Sequence, residues 1–442
     1  MNRTLMATLV VACAWGPRAA AQDTPNSTNS LSSSVARTGC AGRLDAPGVV
    51  RCALVASPEV REARAQLAAV AGRRATAEVW LPSNPTVGAT VARRHRPAPD
   101  ATSVWNWSVV LSQELELAGQ RGARVDVAGA EAALQARRVG VAEQEVAAGA
   151  LTAYYEAIAA EEGLRFAVDL AQNAQSLAAY AEGRAKESVL PGIEADVARA
   201  EATRIGLVRF EAERRVAETR ASLAVLVDVD PRGLDLPSAL ITSNTNLVTG
   251  APLVDQALAL RGEIAAAEME RQVLQRRLAL VRRERVPNPT VSAFFERGEI
   301  DDRILGVGLS IPIPLPAPVG RTRAGEISET MAQIQAAESS EELVRRRVRL
   351  EVARAEATFK ARQGAVALFK GDLLTRARAD LSALREAVAS RQLALREGLQ
   401  WQRSLVELLQ ADIAVRMERA LAWVELRRVV GLPLGTNQEE GT

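Results

Sequence analysis

The stretch Trp105-Asn106-Trp107-Ser108-Val109-Val110-Leu111-Ser112 decides the fold of this chain. Apolar and polar side chains alternate through most of it, and Leu305-Gly306-Val307-Gly308-Leu309-Ser310-Ile311 has the same period of two. Such alternation predicts a strand with one apolar face and one polar or small face. Weaker alternating segments lie just upstream, around Val87 and Val291. The sequence therefore predicts two β-hairpins.

The predicted strands have the length and the patterning of membrane-spanning strands. A tilted strand needs about 9–11 residues to cross a bilayer, and its apolar face is expected to contact lipid. Four strands alone leave open edges, whose unpaired N–H and C=O groups are not tolerated in hydrocarbon. Three copies would supply twelve strands to one barrel. The residues expected to face lipid are Trp105, Trp107, Val109, Leu111, Leu305, Val307, Leu309 and Ile311.

Proline is absent from two long stretches, between Pro99 and Pro191 and between Pro318 and Pro433. Because proline is unfavourable inside a helix, and strong helix formers dominate these stretches, both are predicted to be helical. Helices over 121–182 and 321–397 would be about 90 Å and more than about 100 Å long. Such lengths suit side-by-side, coiled-coil-like packing. We expect a mainly α fold with a small β part, in which a long α-helical barrel continues from the β-barrel of a trimer.

The two hairpins are related in sequence. Asn84-Pro85-Thr86-Val87 recurs as Asn288-Pro289-Thr290-Val291. This recurrence indicates two tandem structural repeats, each with a helix, a β-hairpin and a long helical hairpin. The predicted divisions are a signal peptide at 1–21, an extended N-terminal segment at 22–56, repeat 1 at 57–245, a linker at 246–251, repeat 2 at 252–434 and a C-terminal tail at 435–442.

The first residues are typical of a secretory signal. Arg3 precedes an apolar core, and Ala19-Ala20-Ala21 is a small-residue cleavage site. A lipoprotein signal ending at Cys13 is the alternative, although it would be unusually short. If the signal is removed, Cys40 and Cys52 remain as an even pair in an exported chain, which favours a disulfide bond over two free thiols.

Composition argues against several functions. The chain has 55 Lys and Arg against 53 Asp and Glu, so it has no basic surplus to neutralise phosphates, and no nucleic acid partner is expected. His95 is the only histidine, so no metal site is expected. The sequence has no phosphate-binding glycine-rich loop and no nucleophile elbow. We therefore expect no catalytic residues and no cofactor.

Several motifs occur in the order found in a known family. Leu81-Pro82-Ser83-Asn84-Pro85 precedes the first strand pair, Leu309-Ser310-Ile311-Pro312-Ile313-Pro314-Leu315 closes the second, and Val429-Val430-Gly431-Leu432 ends the last helix. From about Ser57 to Leu434 the chain resembles the TolC-like outer-membrane efflux proteins, or outer membrane factors. The run Glu116-Leu117-Ala118-Gly119-Gln120-Arg121 is similar to the outer-membrane components of cobalt–zinc–cadmium efflux systems.

This resemblance implies a homotrimer in the bacterial outer membrane that extends into the periplasm. It implies docking on a periplasmic adaptor (membrane fusion) protein joined to an inner-membrane efflux pump, and passive conduction of metal cations or small toxic compounds. Two alternatives remain open. One is a type I secretion duct, which shares the fold, and the other is a periplasmic coiled-coil adaptor or scaffold. The duplicated strand pair argues against an adaptor, which has one helical hairpin and β-rich soluble domains.

The tips of the helical hairpins are expected where helix signals break. The first tip spans 183–192 and the second surrounds Gly398. The resemblance implies that both tips contact the adaptor, with Trp401 as a candidate anchor, while ordinary inter-helix turns are the alternative. The tip residues singled out are Gly183, Leu190, Pro191, Gly192, Gly398 and Trp401.

Just after the tips, the resemblance implies acidic residues around a narrow periplasmic aperture. The matching positions are Glu194 and Glu407, with Gln410 in place of a further acid. A ring of carboxylates would attract cations, and a solvated helix face is the alternative. At the opposite end, Trp105 and Trp107 are expected at the lipid boundary. A basic cluster on the predicted outer loop either contacts acidic lipids or is solvated; it consists of Arg93, Arg94, His95 and Arg96.

Overall fold

The computed structural model describes residues 40, 42–94, 104–238, 240, 251–297, 302–315, 319, 322–369, 373–390 and 392–435. The predicted signal peptide at 1–21, Cys13, His95, Arg96 and most of the predicted linker at 246–251 lie outside the described residues. Across the described residues, the structure contains no helix with an apolar stretch long enough to cross a membrane.

The described chain is mostly helical with a small antiparallel sheet, which confirms the predicted fold class at that level. The helices are α1 (Ala46–Ala56), α2 (Pro58–Ala77), α3 (Gln120–Lys186), α4 (Gly192–Val227), α5 (Ala251–Leu260), α6 (Gly262–Arg283), α7 (Ala324–Leu368), α8 (Leu373–Ala389) and α9 (Leu395–Val430). The strands are β1 (Gly42–Arg43), β2 (Thr86–Arg94), β3 (Val104–Glu114), β4 (Leu234–Asp235), β5 (Thr290–Arg297) and β6 (Arg303–Ser310).

The two hairpins pair side by side into one four-stranded antiparallel sheet in the order β2-β3-β5-β6. Val109 on β3 lies opposite Ala89 on β2 and opposite Phe295 on β5. Because directly opposite residues share a face of the sheet, the predicted lipid-facing residues of both hairpins form one continuous apolar face. These side chains are exposed in the single chain: Trp105, Trp107, Val109, Leu111, Leu305, Val307 and Leu309.

One predicted lipid-facing residue is not in a strand. Strand β6 ends at Ser310, which pairs with Thr290, so Ile311 lies one residue beyond it. Pro312 and Pro314 follow, and proline has no N–H to donate to a ladder. The alternation therefore continues in the sequence after the strand has ended.

The first long helix is continuous, and the second is not. Helix α3 has 67 residues, or about 100 Å at 1.5 Å per residue. The run predicted as one helix over 321–397 is instead divided into α7, α8 and the start of α9. Helix α7 ends at Leu368, and the nearby Gly371 is a weak helix former. The absence of proline permits a helix over this whole run but does not require the helix to be continuous.

Part of the segment predicted to be extended at 22–56 is helical. Helix α1 begins after Asp45, whose carboxylate accepts a hydrogen bond of 2.8 Å from the backbone N–H of Gly48. This is a favourable N-cap, and Pro47 lies in the first turn, where its missing N–H does no harm. Val49 and Ala53 are fully buried. The helix is therefore stabilised both by its cap and by its packing.

Small side chains allow the long helices to pack closely. Helix α3 buries a stripe that includes Ala150, Leu151, Ala157 and Leu170, against α1, α4 and α9. A second cluster joins α5, α7 and α9 around Leu253, Val352, Phe359 and Leu426. Alanine at the contacts lets helix axes approach, and the larger residues fill the remaining space. The core is thus a seam along the helices rather than a central globule.

Candidate functional site

The first helical tip lies between α3 and α4. The N–H of Glu187 donates to the carbonyl of Gly183 (3.2 Å), so Gly183 belongs to the last turn of α3. Ser188 follows with a φ of 59°, the left-handed conformation that commonly ends a helix. Pro191 then precedes Gly192, the first residue of α4. The predicted position of this tip therefore matches the described turn.

The second tip is displaced from its predicted position. The chain reverses between Ala389 and Leu395, before Gly398, which is a buried residue in the first turn of α9. A Cβ at Gly398 would lie 2.8 Å from Cγ2 of Val388 on α8. The glycine is therefore needed for close helix packing, not for a turn. Trp401 is also helical and is 60% exposed.

The two tips pack against each other. One hydrophobic cluster joins the ends of α3 and α8 to the beginnings of α4 and α9, and it consists of Leu177, Ala178, Ala181, Ala195, Ala198, Val388, Leu395 and Leu399. Leu190 is half-buried against it. The four helix ends therefore form one packed unit.

A buried carboxylate lies next to this packed unit, further from the tip along α4. Glu201 on α4 is 3% exposed, and it accepts hydrogen bonds from Arg204 on the same helix (2.6 Å) and from Arg403 on α9 (2.7 Å). Burial alone would raise the pKa of Glu201, but the hydrogen bonds from the two guanidinium groups outweigh it and lower the pKa to about 2. The carboxylate is therefore ionised at any physiological pH.

The candidate aperture residues do not lie at one level. Glu194 is in the first turn of α4, beside Leu395 and Leu399 at the start of α9. Glu407 lies near Arg204 and Arg403, whose charges it stabilises. It is about ten residues further from its helix start than Glu194 is, or about 15 Å along the axis. A single ring would require Glu194 and Glu407 to lie at the same distance from the tips. Within the chain they do not.

Gln410 borders a groove between α3, α4 and α9. The groove has a volume of about 360 Å³, and about half of the residues that line it are glycine or alanine, including Gly163, Ala167, Ala212 and Ala414. Glu211 and Arg215 supply charge at its α4 side. Small residues at these positions leave the space open, so the surface of the helical layer is grooved rather than flat.

Sequence patterning missed several buried ionic groups, and two of them join α9 to α4 or to α3. One is Glu201 with its arginines, and the other is Arg416 on α9, which bridges Glu162 on α3 (2.6 Å) and Asp412 (2.8 Å). All three side chains of the second group are at least four-fifths buried. A signal was present, because Ala198, Glu201 and Ile205 follow helical spacing on a buried face. A glutamate on such a face requires a partner.

The N-terminal cysteines are joined. Cys40 and Cys52 form a disulfide bond with a Cα–Cα distance of 5.9 Å. Both are buried in the cluster that contains Tyr154, whose pKa is raised by burial. The bond ties Cys40, which lies two residues before β1, to Cys52 on α1. Among the described residues there is no group of three side chains suited to hold a metal ion.

Known proteins resemble this chain in sequence and in fold. The sequence matches no protein-family model. It is 28% identical over 274 residues to the nickel and cobalt resistance protein CnrC of Cupriavidus metallidurans, over 60% of this chain and 63% of that protein. The match therefore spans slightly less than two thirds of the relative's length.

Solved structures share the architecture over most of the chain. CusC, for which transmembrane channel formation is described, superimposes with a TM-score of 0.73 at 14% identity, covering 88% of this chain and 92% of CusC. The outer membrane protein VceC of Vibrio cholerae gives 0.69 at 18% identity, covering 87% and 95%. The open-state MtrE outer membrane channel of Neisseria gonorrhoeae gives 0.70 at 18%, covering 88% and 89%. This chain therefore has the fold of the TolC-like outer-membrane channels, which confirms the resemblance carried by its motifs.

Proposed function

We propose that this chain is the outer-membrane duct of a tripartite efflux system. It passively conducts metal cations or small toxic compounds from an inner-membrane pump and a periplasmic adaptor to the exterior. One observation carries the proposal: the four-stranded sheet exposes a continuous apolar face, with Val307 84% exposed and Leu309 66% exposed. An exposed apolar surface of this kind is expected to be covered by a partner or by lipid.

The open sheet supports a trimer. In the described part of the chain, β2 and β6 are the edge strands. In hydrocarbon their unpaired backbone groups would be strongly unfavourable, so β6 of one copy pairs with β2 of the next. Three copies close a barrel of twelve strands. The helices extend from one end of each sheet and together form a helical barrel in the periplasm.

The order of elements supports an internal duplication. A helix, a hairpin and a long helical hairpin occur in the order α2-β2-β3-α3-α4 and again as α6-β5-β6, then α7, α8 and α9. Helices α4 and α9 both have 36 residues. In a trimer, these two similar halves give a nearly six-fold tube.

Metal cations are the favoured cargo because the curated relative is a nickel and cobalt resistance protein. The tips are proposed to contact the adaptor, since Pro191, Gly192 and Trp401 are exposed there. Glu407, exposed on α9, is proposed to line the water-filled interior and attract cations.

The test has two parts. The protein is purified from outer membranes in detergent and imaged, and a long trimeric tube is expected. A deletion strain is then compared with the same strain carrying the wild-type gene for growth in nickel, cobalt, cadmium and detergents. Increased metal sensitivity, restored by the gene, would support the cargo. A monomer in the periplasmic fraction would contradict the duct, and sensitivity to detergents alone would contradict the metal cargo.

A further inference from the structure

Four connections join the sheet to the helices, and all four lie at the same end of the sheet. They are residues 78–85, 115–119, 284–289 and 311–323, of which the last is described at 311–315, 319, 322 and 323. Each connection carries a large apolar side chain that is between 48% and 81% exposed. These side chains are referred to below as the apolar collar: Trp80, Leu117, Val286 and Ile313. Exposed apolar side chains that are grouped in this way mark a surface that is covered.

The apolar collar is continuous with the apolar face of the sheet. Gln113 lies opposite Val291, and Val291 lies opposite Leu309, so Gln113 is on the apolar face. Nε2 of Gln113 donates a hydrogen bond of 3.0 Å to the carbonyl of Ser83. The connection that carries Trp80 is therefore joined to the sheet on its apolar side. The collar extends this face beyond the ends of the strands.

The ring of Trp80 is held in place although it is 79% exposed. The guanidinium of Arg121 lies 4.5 Å from the centre of the ring. Nε and Nη2 of Arg121 both donate to the carbonyl of Glu78, at 3.0 and 2.8 Å. These two hydrogen bonds fix the guanidinium, and the cation–π contact in turn favours one position of the ring. An exposed ring that is held in this way is suited to act as an anchor.

The charges of the connections do not oppose contact with lipid. Three carboxylates lie in the described parts of the connections, and each has an arginine partner. The pairs are Glu78 with Arg74 (3.0 Å), Glu284 with Arg323 (3.5 Å) and Glu116 with Arg124. Arg285 adds an exposed positive charge. Charged side chains are tolerated on a lipid-facing surface near the head groups but not at the centre of the bilayer. The collar therefore belongs at the boundary between acyl chains and head groups.

We propose that the apolar collar contacts phospholipid of the periplasmic leaflet of the outer membrane, with Trp80 as the anchor at the level of the head groups. This inference rests on the proposed function, because it requires the apolar face of the sheet to contact lipid. Tryptophan is favoured at such boundaries because its ring is apolar and its N–H is polar. Lipid fits better than a second protein because the collar continues the apolar face. The membrane then extends to the connections, and this sets how far the helical tips reach from it.

The test uses quenching of tryptophan fluorescence by brominated lipid. The full-length protein is reconstituted into phosphatidylcholine vesicles with bromine either near the head group or near the end of the acyl chain. With bromine near the head group, Trp80→Phe should lower the quenched fraction by about one third, because Trp80, Trp105 and Trp107 are the three tryptophans expected at the lipid. With bromine near the chain end, the loss should be smaller.

Trp401→Phe is the matched control. Trp401 is also exposed, but it lies on α9 near the helical tips, away from the sheet. Its removal should raise the quenched fraction, since it removes fluorescence that lipid does not reach. A rise with Trp80→Phe as well would place Trp80 in water or against a neighbouring copy and would overturn the inference. Equal losses in both kinds of vesicle would also overturn it, because the ring would not lie at the level of the head groups.

The wild-type protein separates the two proposals. If neither kind of vesicle quenches its fluorescence, the sheet is not in lipid and the proposed function fails. If its fluorescence is quenched but Trp80→Phe does not lower the quenched fraction, Trp105 and Trp107 account for the contact with lipid, and only this inference fails. Phenylalanine keeps an aromatic ring beside Arg121, so the variant retains the packing of the connection while removing the fluorescence of Trp80.

Discussion

Glu201 on α4 and Arg403 on α9 form an ion pair of 2.7 Å that joins the two helices which rise from the packed tips. The carboxylate is 3% exposed, whereas the side chains of Arg403 and Arg204 are more than half exposed. Removing an arginine would leave the buried carboxylate with one partner. Removing the carboxylate would leave two arginines that reach solvent. The stability of the folded protein should therefore fall more when Arg403 is removed than when the carboxylate of Glu201 is removed.

Glu201→Gln should loosen the junction between α4 and α9. A hydrogen bond to a charged group contributes about 1.5–3 kcal/mol, so we expect the free energy of unfolding to fall by about that amount. Thermal unfolding of the detergent-solubilised protein measures it. Glu211→Gln, which removes an exposed pair with Arg214, is the control and should change stability by less than about 1 kcal/mol. Equal effects of the two variants would show that burial of Glu201 is unimportant.

The ion pairs of Glu201 also predict how the stability of the protein depends on pH. The pKa of Glu201 is lowered from 4.5 to about 2. Its ionised form therefore stabilises the folded state fully above about pH 4.5, and this contribution is lost as the pH falls through about 2. The difference in stability between wild type and Glu201→Gln should be constant from pH 8 to pH 5 and disappear near pH 2. A difference that already declines at pH 6 would contradict this assignment.

Substitutions of Gly398 and Gly183, which lie near the tips, should change the stability of the protein in opposite directions. Gly398→Leu places side-chain atoms against Val388, where even a Cβ would lie at 2.8 Å. Overpacking typically costs about 1–3 kcal/mol, and we expect a lower unfolding temperature and altered channel conductance. Gly183 has open space around it, so Gly183→Ala should stabilise α3 by about 0.5–1 kcal/mol. Destabilisation by Gly183→Ala would contradict the open space around Gly183, and unchanged stability of Gly398→Leu would contradict its close packing against Val388.

Loss of the disulfide should destabilise the N-terminal part of the fold. Cys40→Ser with Cys52→Ser removes a link between residues 12 apart, which is expected to cost about 2–4 kcal/mol. Reducing agent should lower the unfolding temperature of the wild type to that of the variant and leave the variant unchanged. A variant as stable as the oxidised wild type would show that packing of α1 alone holds this region.

The two faces of the sheet should tolerate charge differently. Val307→Arg places a charge in the middle of the apolar face, where it costs about 2–4 kcal/mol if that face contacts lipid. We expect less protein in the outer membrane, measured by fractionation and immunoblotting. Thr90→Arg is the control, since Thr90 pairs with Ser108 on the opposite, polar face. Equal tolerance of both variants would argue against lipid on the apolar face.

Glu407→Ala tests the proposed attraction of cations. If Glu407 faces the conducting pathway, three copies of the variant lose three negative charges, and divalent cations should block the channel less. Single-channel recording in planar bilayers measures this. Gln410→Glu adds charge one helical turn away and should strengthen the block. An unchanged channel in both variants would remove Glu407 and Gln410 from the pathway.

The strands were predictable because alternation depends only on neighbouring residues. The apolar series from Trp105 to Leu111 lies within β3, and that from Leu305 to Leu309 lies within β6. The end of β6 was not predictable from alternation, since Ile311 continues the pattern without a strand partner. Pro312 indicates the end of the strand better, because proline has no N–H to donate to a neighbouring strand.

The helical tips were predicted with unequal success for a physical reason. Pro191 marks the first tip because proline restricts the backbone locally. Gly398 resembled a turn residue, but it serves a contact with Val388, which is ten residues earlier in the chain. Glycine has two uses, freedom of the backbone and close approach of a neighbour, and its sequence context does not distinguish them.

The amino-acid sequence by itself determined where the two hairpins and most of the helices form, because periodicity, helix propensity and proline placement act over a few residues. Only the tertiary structure decided that the two hairpins share one sheet, that Glu201 meets Arg403, and that Glu194 and Glu407 lie at different levels. Those relationships join residues far apart in the chain. They depend on how whole helices and strands pack, which local patterning does not encode.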